Sequence, residues 1–321
     1  MDRPLITVIT SIRNGQSHIQ ETVESIIDQS LNDFEYIIIN DGSTDETSNI
    51  INTLIRRDRR ISLIQNATTI GLTRSLNKGL NAARGKYIAR LDAGDISLSN
   101  RLEEQNKYLE QHPEIILCGT NCDLIDNNGH SLQLTDRHLV FASADIERVL
   151  PQRNCLVHSS IMFRNDHIRY RDKFYYSQDY DLYLNLLSSG KGLANLSEKL
   201  VHWRMDPTAI SFTNRAKQSR FTSLAKKFYQ QRLKSGRDDY ESFNPNEILN
   251  IPVNGLPAET MIKEKILYHL KNQQYQQAKT VFTQEYKQLP PQKHFQPHLM
   301  AMFVNRPFTY RIYRKIKLLL G

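Results

Sequence analysis

The chain has 321 residues, of which 39% are hydrophobic and 24% charged, with a formal net charge of +8 and a pI near 9.3. This is the composition of an ordinary globular protein. No apolar run reaches the roughly 20 residues a membrane-spanning helix needs, and Met1-Asp2-Arg3-Pro4 leads directly into a strand pattern, so no signal peptide is expected. The three cysteines, Cys118, Cys122 and Cys155, are too few and too scattered for a disulfide framework; buried thiols in a reducing cytoplasm are expected. The basic excess favours anionic partners. No nucleic-acid module or aromatic platform is present, so nucleic acid is not an expected partner.

The first hundred residues alternate strand and helix signals. Leu5 to Ile12 is a β-rich run, and Ile19, Val23, Ile26 and Ile27 recur at helical spacing after Ser17, the expected N-cap. Phe34 to Ile39 is a second strand, closed by Asn40-Asp41-Gly42-Ser43. A helix carrying Ile50, Ile51, Leu54 and Ile55 then opens at Thr44 or Asp45. Ile61 to Ile64 is a third strand, and Leu72, Leu76, Leu80 and Ala83 mark a helix expected to stop at Gly85. Tyr87 to Leu91 is a fourth, buried strand that ends in Asp92-Ala-Gly-Asp95. Such alternation predicts βαβ units: an α/β sheet, mostly parallel, with helices on both faces.

Beyond it, Leu102 to Leu109 reads as a helix, Ile115 to Gly119 as a strand, Asp126-Asn-Asn-Gly129 as a turn and Gln178 to Leu187 as a helix. From Asn214 the chain is basic and helical, and Leu267, Leu270, Tyr275, Ala278, Val281 and Phe282 fit a helical hairpin. The expected division is residues 1–211 as one domain, with a nucleotide-binding half at 1–101 and an acceptor half at 102–211, followed by a basic helical region at 212–321.

Four groups of residues could carry chemistry. Asp41, at the end of a strand, can accept the imide N–H of a uracil or thymine; the same Asp-Gly-Ser-Thr-Asp also fits a plain turn and helix cap. Arg74 and Asn77, three apart on a helix, could reach a ribose or phosphate, and equally suit a solvated face. Asp92 and Asp95 lie where open α/β sheets place ligands, and their hard oxygens suit Mg²⁺ or Mn²⁺. Asp179 opens a helix and could act as a general base, or could serve only the helix N-terminus.

Together Val8–Asn14, Asn40–Asp45, Gly71–Gly79, Ala89–Ser97 with Arg101-Leu102, and Gln178-Asp-Tyr-Asp-Leu182 resemble the family-2 glycosyltransferases of GT-A fold, over roughly residues 4–211. The resemblance implies an inverting enzyme that moves a sugar from a nucleoside-diphosphate sugar, expected to be a UDP-sugar, to an acceptor hydroxyl in surface polysaccharide or glycolipid assembly. It implies that Thr10, Arg13 and Asp41 line the nucleotide pocket and that Asp92 begins the Asp-x-Asp metal motif. Asp179 becomes the catalytic base, and Arg204 a basic residue near the diphosphate. Three departures stand out. Gly94 occupies the place of the second metal-motif carboxylate, which shifts cation binding to Asp92 with Asp95. Gln178 replaces the frequent Glu before the base and would alter acceptor contacts. Asp206 stands where a His is frequent, and is expected as a compensating metal ligand. His158 could border the acceptor pocket or be structural.

A nucleotidyltransferase is the alternative enzyme, although Arg13-Asn14-Gly15-Gln16 lacks the Gly- and Lys-rich loop that holds a triphosphate; a non-catalytic nucleotide-sugar binder is the other. The tail, Asn305 to Leu320, has no acidic residue and spaces Phe308, Ile312, Ile316 and Leu319 or Leu320 helically among Arg311, Arg314, Lys315 and Lys317. Such a helix suits an anionic membrane surface, or packing on the domain with a solvated basic face. A lipid-linked or glycan acceptor and a location at the cytoplasmic face are the matching expectations.

Overall fold

The structure, a computed structural model, describes residues 3–132, 139–205, 214–250, 266 and 275–285. Asp206, Leu267, Leu270 and the basic tail at 305–320 lie outside the described residues. The chain divides into two compact units. The first comprises Met1–Ser131, Asp136–Ala209 and Lys217–Ile251; the second comprises Leu132–Thr135, Ile210–Ala216 and Pro252–Gly321.

The first unit is built on one eight-stranded sheet, ordered β3-β2-β1-β4-β7-β6-β8-β5. The strands are β1 (Ile6–Ile12), β2 (Phe34–Asn40), β3 (Ile61–Gln65), β4 (Tyr87–Arg90), β5 (Ile96–Ser97), β6 (Ile115–Ile125), β7 (Met162–Arg164) and β8 (Gly192–Arg204). Strands β1 to β4 pair in parallel, as do β6 and β8, whereas β7 and β5 run against their neighbours. The sheet is therefore mostly parallel.

Alternation along the strands sorts the core into two layers. Ile9, Ile37, Ile39 and Ile88 face one side and pack with α3 (Leu72–Ala82), α5 (Ser143–Val149), α6 (Gln178–Ser188) and α7 (Arg215–Ser235). Ile6, Val8, Tyr36, Ile38, Tyr87 and Ala89 face the other, against α1 (Ile19–Ile27), α2 (Thr47–Arg57) and α4 (Arg101–Gln111). All seven residues of β1 are buried, as a central strand covered on both faces requires. Helices thus cover both faces, as expected. The region expected to begin a separate helical part at residue 212 instead adds Phe221, Ala225, Phe228 and Tyr229 to the first unit's core. In the second unit, α9 (Tyr275–Gln284) buries Phe282; the short α8 (Asn246–Leu249) belongs to the first.

Two details differ from the sequence reading. Helix α1 starts at Ile19 after His18, and no side chain caps it, so Ser17 is not its N-cap. Helix α3 ends at Ala82, and Gly85 does not close it; a Cβ there would lie 2.4 Å from Thr7 N and 2.7 Å from Ile6 C. Gly85 is needed because the chain re-enters the sheet backbone against backbone.

Candidate active site

The carboxyl ends of β1, β2 and β4 form the rim on which open α/β folds hold ligands. Two loops on this rim, after β1 and β2, are laced together reciprocally. Asn14 N donates to Ser43 Oγ and Thr44 N donates to Asn14 Oδ1, each at 2.9 Å; Gln16 N donates to Asp45 Oδ2, while Glu46 N donates to Gln16 Oε1. Arg13 sits exposed beside this lacing.

Thr10 does not line an open pocket. It is 0% exposed, donates to Leu91 O at 2.8 Å and shares a 2.8 Å hydrogen bond with the Tyr36 hydroxyl, so it ties β1 to β4 and β2. Asp41 is also enclosed, at 4% exposure. Its Oδ1 accepts Ile70 N and Asn66 Nδ2 at 2.8 and 2.9 Å, and its Oδ2 accepts Gly71 N at 2.9 Å. Burial works against its charge, but these donors hold its carboxyl below the usual carboxylate range. The chain itself thus supplies three donors to the carboxylate that the sequence reading assigned to a base. Asn77 is similarly engaged, its amide donating to Tyr170 O and Asp172 and accepting Tyr170 N. Arg74 is exposed and lies against Tyr175.

The Asp92–Asp95 turn is fixed from several directions. Asp92 N donates to Ser159 Oγ, Gly94 N donates to Thr22 Oγ1, and Asp95 N donates to Asp92 O. Gly94 adopts φ +105°, a conformation that side chains rarely tolerate, which gives a backbone reason for glycine in place of a carboxylate. Asp95 is only 3% exposed; its Oδ1 accepts Arg204 N at 2.8 Å, and its Oδ2 is buried without a partner. Burial and the charge of Asp92 push its carboxyl up to about 7. Arg204 is riveted into the same turn. Its guanidinium donates to the carbonyls of Gly94, Asp126 and Asn127 and pairs with Glu21 at 2.5 Å, so it is not free to meet a diphosphate.

Asp92 is what this scaffold presents, with its side chain 39% exposed and Oδ1 paired with Arg90 Nη2 at 2.5 Å. Partial burial opposes ionisation, but the Arg90 charge keeps Asp92 below its ordinary value. Asp179, in the first turn of α6, accepts Asn154 Nδ2 at 2.9 Å. Burial raises its carboxyl, and the charge of Asp92 adds to the rise, so the two carboxylates sense one another. Both also act on the same buried hydroxyls, Tyr170 and Tyr183. His158 is half-buried among them and hydrogen-bonded to the Tyr170 hydroxyl at 2.7 Å. Burial, then Arg90, brings its imidazole down to about 3, so it is neutral. Gln178 is buried at the start of α6. The sequence reading gave Arg90, Asn154, Tyr170 and Tyr183 no role at the site. The available signal was Arg90, a charged residue inside an otherwise apolar buried strand.

Among the described residues, no three His, Cys, Asp or Glu side chains converge as a metal-ligand set. One half-open carboxylate still fits Mg²⁺ or Mn²⁺ in the mode that combines few protein oxygens with water and substrate phosphates. Asp92 suits that mode. Asp95 does not, because it is enclosed and turned toward Arg204.

The sequence pattern of the family described as glycosyl transferase family 2 matches residues 7–175. The chain belongs to this family. A glycosyltransferase of Methanocaldococcus jannaschii is 32% identical over 228 residues, covering 70% of this chain and 78% of that protein. The O-antigen biosynthesis glycosyltransferase WbnJ of Escherichia coli is 31% identical over 209 residues, covering 63% and 80%. The crystal structure of S. aureus TarS 1–349 in complex with UDP-GlcNAc superposes with a TM-score of 0.56 at 15% identity, over 95% of this chain and 91% of that one. The chain is thus a family-2 glycosyltransferase with a GT-A-like fold, which replaces the nucleotidyltransferase and binding-module alternatives. No described helix is long and apolar enough to cross a membrane.

Proposed function

We propose that this glycosyltransferase takes its sugar from a UDP-sugar and transfers it with inversion to a hydroxyl of a glycan or lipid-linked acceptor, in surface polysaccharide or glycolipid assembly. The observation that carries the reading is the convergence of Asp92 and Asp179, from β4 and α6, over one patch of Arg90, His158, Tyr170 and Tyr183. Supporting it are the UDP-GlcNAc complex of TarS and the polysaccharide roles printed in the names of relatives such as WbnJ and the amylovoran glycosyltransferase AmsE of Erwinia amylovora.

In this reading Asp179 removes the acceptor proton as the hydroxyl attacks, and its raised pKa places it nearer the working range of a base. Asn154 orients the carboxylate. Neutral His158 and buried Gln178 border the acceptor side. Arg13 and Arg74, both exposed, are available to the diphosphate and ribose. Asp92 would hold a divalent cation, which when bound supplies electrostatic stabilisation of the departing diphosphate. The test is a panel of UDP-, dTDP- and GDP-sugars with Mn²⁺, read by thermal stabilisation and by nucleotide release. UDP-sugars should stabilise the protein and yield UDP, and Asp92→Ala should remove both effects. Stabilisation by a GDP-sugar alone refutes the donor assignment.

A further inference from the structure

The acidic turn carries a cation of its own. Arg90 is 2% exposed, and its sole ion-pair partner among the described residues is Asp92. Its Nε and Nη1 are buried with no hydrogen-bond partner. Arg101, itself fully buried, fixes Arg90 from behind by donating through Nη2 to Arg90 O at 2.6 Å. A guanidinium does not give up its proton in proteins, so the positive charge is permanent. The nearby groups are otherwise engaged or uncharged: His158 is neutral, Tyr170 and Tyr183 are protonated, Asp95 is held by Arg204 N, and Asp179 accepts Asn154 Nδ2, so Asp92 is the anion that Arg90 pairs with among the described residues.

We propose that Arg90 is a positioning residue that keeps Asp92 charge-balanced, so that the site holds a free divalent cation poorly and takes one up jointly with a diphosphate. This rests on the reading of Asp92 as the cation's protein ligand. Three observations support it. Gly94, at φ +105°, supplies no second carboxylate. Asp95 is enclosed. The remaining open carboxylate is paired with a charge that cannot leave. A dication approaching Asp92 therefore meets a nearly neutral pair, with the guanidinium only a few ångströms further in. A diphosphate brings the negative charge that makes the encounter favourable. Arg90 also anchors one oxygen of Asp92, leaving the other for the ligand in a fixed orientation.

The experiment is titration of Mn²⁺ alone, followed by the free-ion paramagnetic resonance signal, and then of Mn²⁺ in the presence of UDP, with the Mn²⁺ chelated by UDP in protein-free samples measured and subtracted. For the unaltered protein, UDP should tighten Mn²⁺ binding by at least about thirtyfold. Arg90→Met removes the buried charge and should tighten nucleotide-free Mn²⁺ binding about tenfold or more, whereas Arg90→Lys keeps the charge and should stay within about threefold of the unaltered protein. Adding Asp92→Asn to Arg90→Met should abolish the gain. Equal Mn²⁺ affinity with and without UDP overturns the proposal, as does Arg90→Met binding the free ion no better. If Arg90→Met does not fold, Arg90→Gln, which removes the charge but keeps amide donors, takes its place and should likewise tighten nucleotide-free Mn²⁺ binding; no gain in a folded Arg90→Gln overturns the proposal. The Mn²⁺-only arm needs no nucleotide. A protein that never binds UDP therefore refutes the donor reading, while Arg90→Met separately decides the role of Arg90.

Discussion

Asn154 Nδ2 donates to Asp179 Oδ2 at 2.9 Å, joining the segment after α5 to the first turn of α6. Replacing Asp179 by Asn keeps the size of the side chain and removes its ability to take a proton. Transfer should fall roughly 10²–10⁴-fold. UDP binding, measured by calorimetry, should stay within about twofold of the parent, since Asp179 is assigned no part in nucleotide binding.

The pH profile of transfer should carry the mark of Asp179. Its carboxyl is raised by burial and by Asp92, so the ionised base is lost on acidification at a pH above the ordinary aspartate value of about 3.9. The rate should therefore decline toward acid with a limb above that value. His158 is already neutral, so His158→Gln should leave the limb where it is; a limb that shifts with this substitution would reassign it. The same raised pKa favours the folded state at low pH, an advantage lost as pH rises through it.

Asp238 should matter for stability despite lying well beyond the family-matched residues. It receives Arg171 Nη1 at 2.7 Å and a second ion pair from Arg232, while Arg171 also forks onto buried Asp181, two residues from Asp179. The Arg171 guanidinium lies 4.5–5.2 Å from the ring centres of Phe174, Phe228 and Tyr240. Asp238→Asn leaves the largely enclosed Arg232 without its anion and Arg171 with Asp181 alone, and should cost roughly 1–3 kcal/mol in denaturant unfolding. A loss below about 1 kcal/mol would show the network to be slack.

Asp41→Ala should behave as a fold mutation. It strands Ile70 N and Gly71 N and leaves the Asn66 amide with Ser75 Oγ alone, for about 1–3 kcal/mol of lost stability. Because the folded pKa of Asp41 is depressed, its contribution is present above about pH 4 and is lost as pH falls through the folded value. The variant should accordingly show a shallower acid-unfolding curve. If its melting temperature is unchanged while uridine selectivity is lost, Asp41 serves the ligand instead.

Restoring the motif with Gly94→Asp should fail to improve the enzyme. An added Cβ meets nothing within 4 Å, so the obstacle is the backbone at φ +105° alone. The expected cost is about 1–3 kcal/mol in thermal or denaturant unfolding.

The order of strands and helices through Asp92 was legible because apolar periodicity and turn residues agree there; the two-residue β5 was too short to show a pattern. Strand β8, thirteen residues long, was not legible either. Ser197, Glu198 and Lys199 interrupt its apolar pattern, and its pairing with β6 shifts register nearby. In the site, Asp92 and Asp179 could be named from motif order. The enclosure of Thr10, Asp41, Asn77, Asp95 and Arg204 could not, because a polar residue near a cleft reads the same whether its partner is a ligand or a backbone amide far along the chain. Arg204 meets Gly94 O across 110 residues and Glu21 across 183.

The reciprocal bonding of Asn14 and Gln16 with Ser43, Thr44, Asp45 and Glu46 limits how this enzyme can be re-engineered or diversify. Grafting either segment from a relative severs donors and acceptors on the other. A chimera aimed at a new donor should therefore exchange both stretches as one cassette, and natural drift in one should be tolerated only alongside a matching change in its mate.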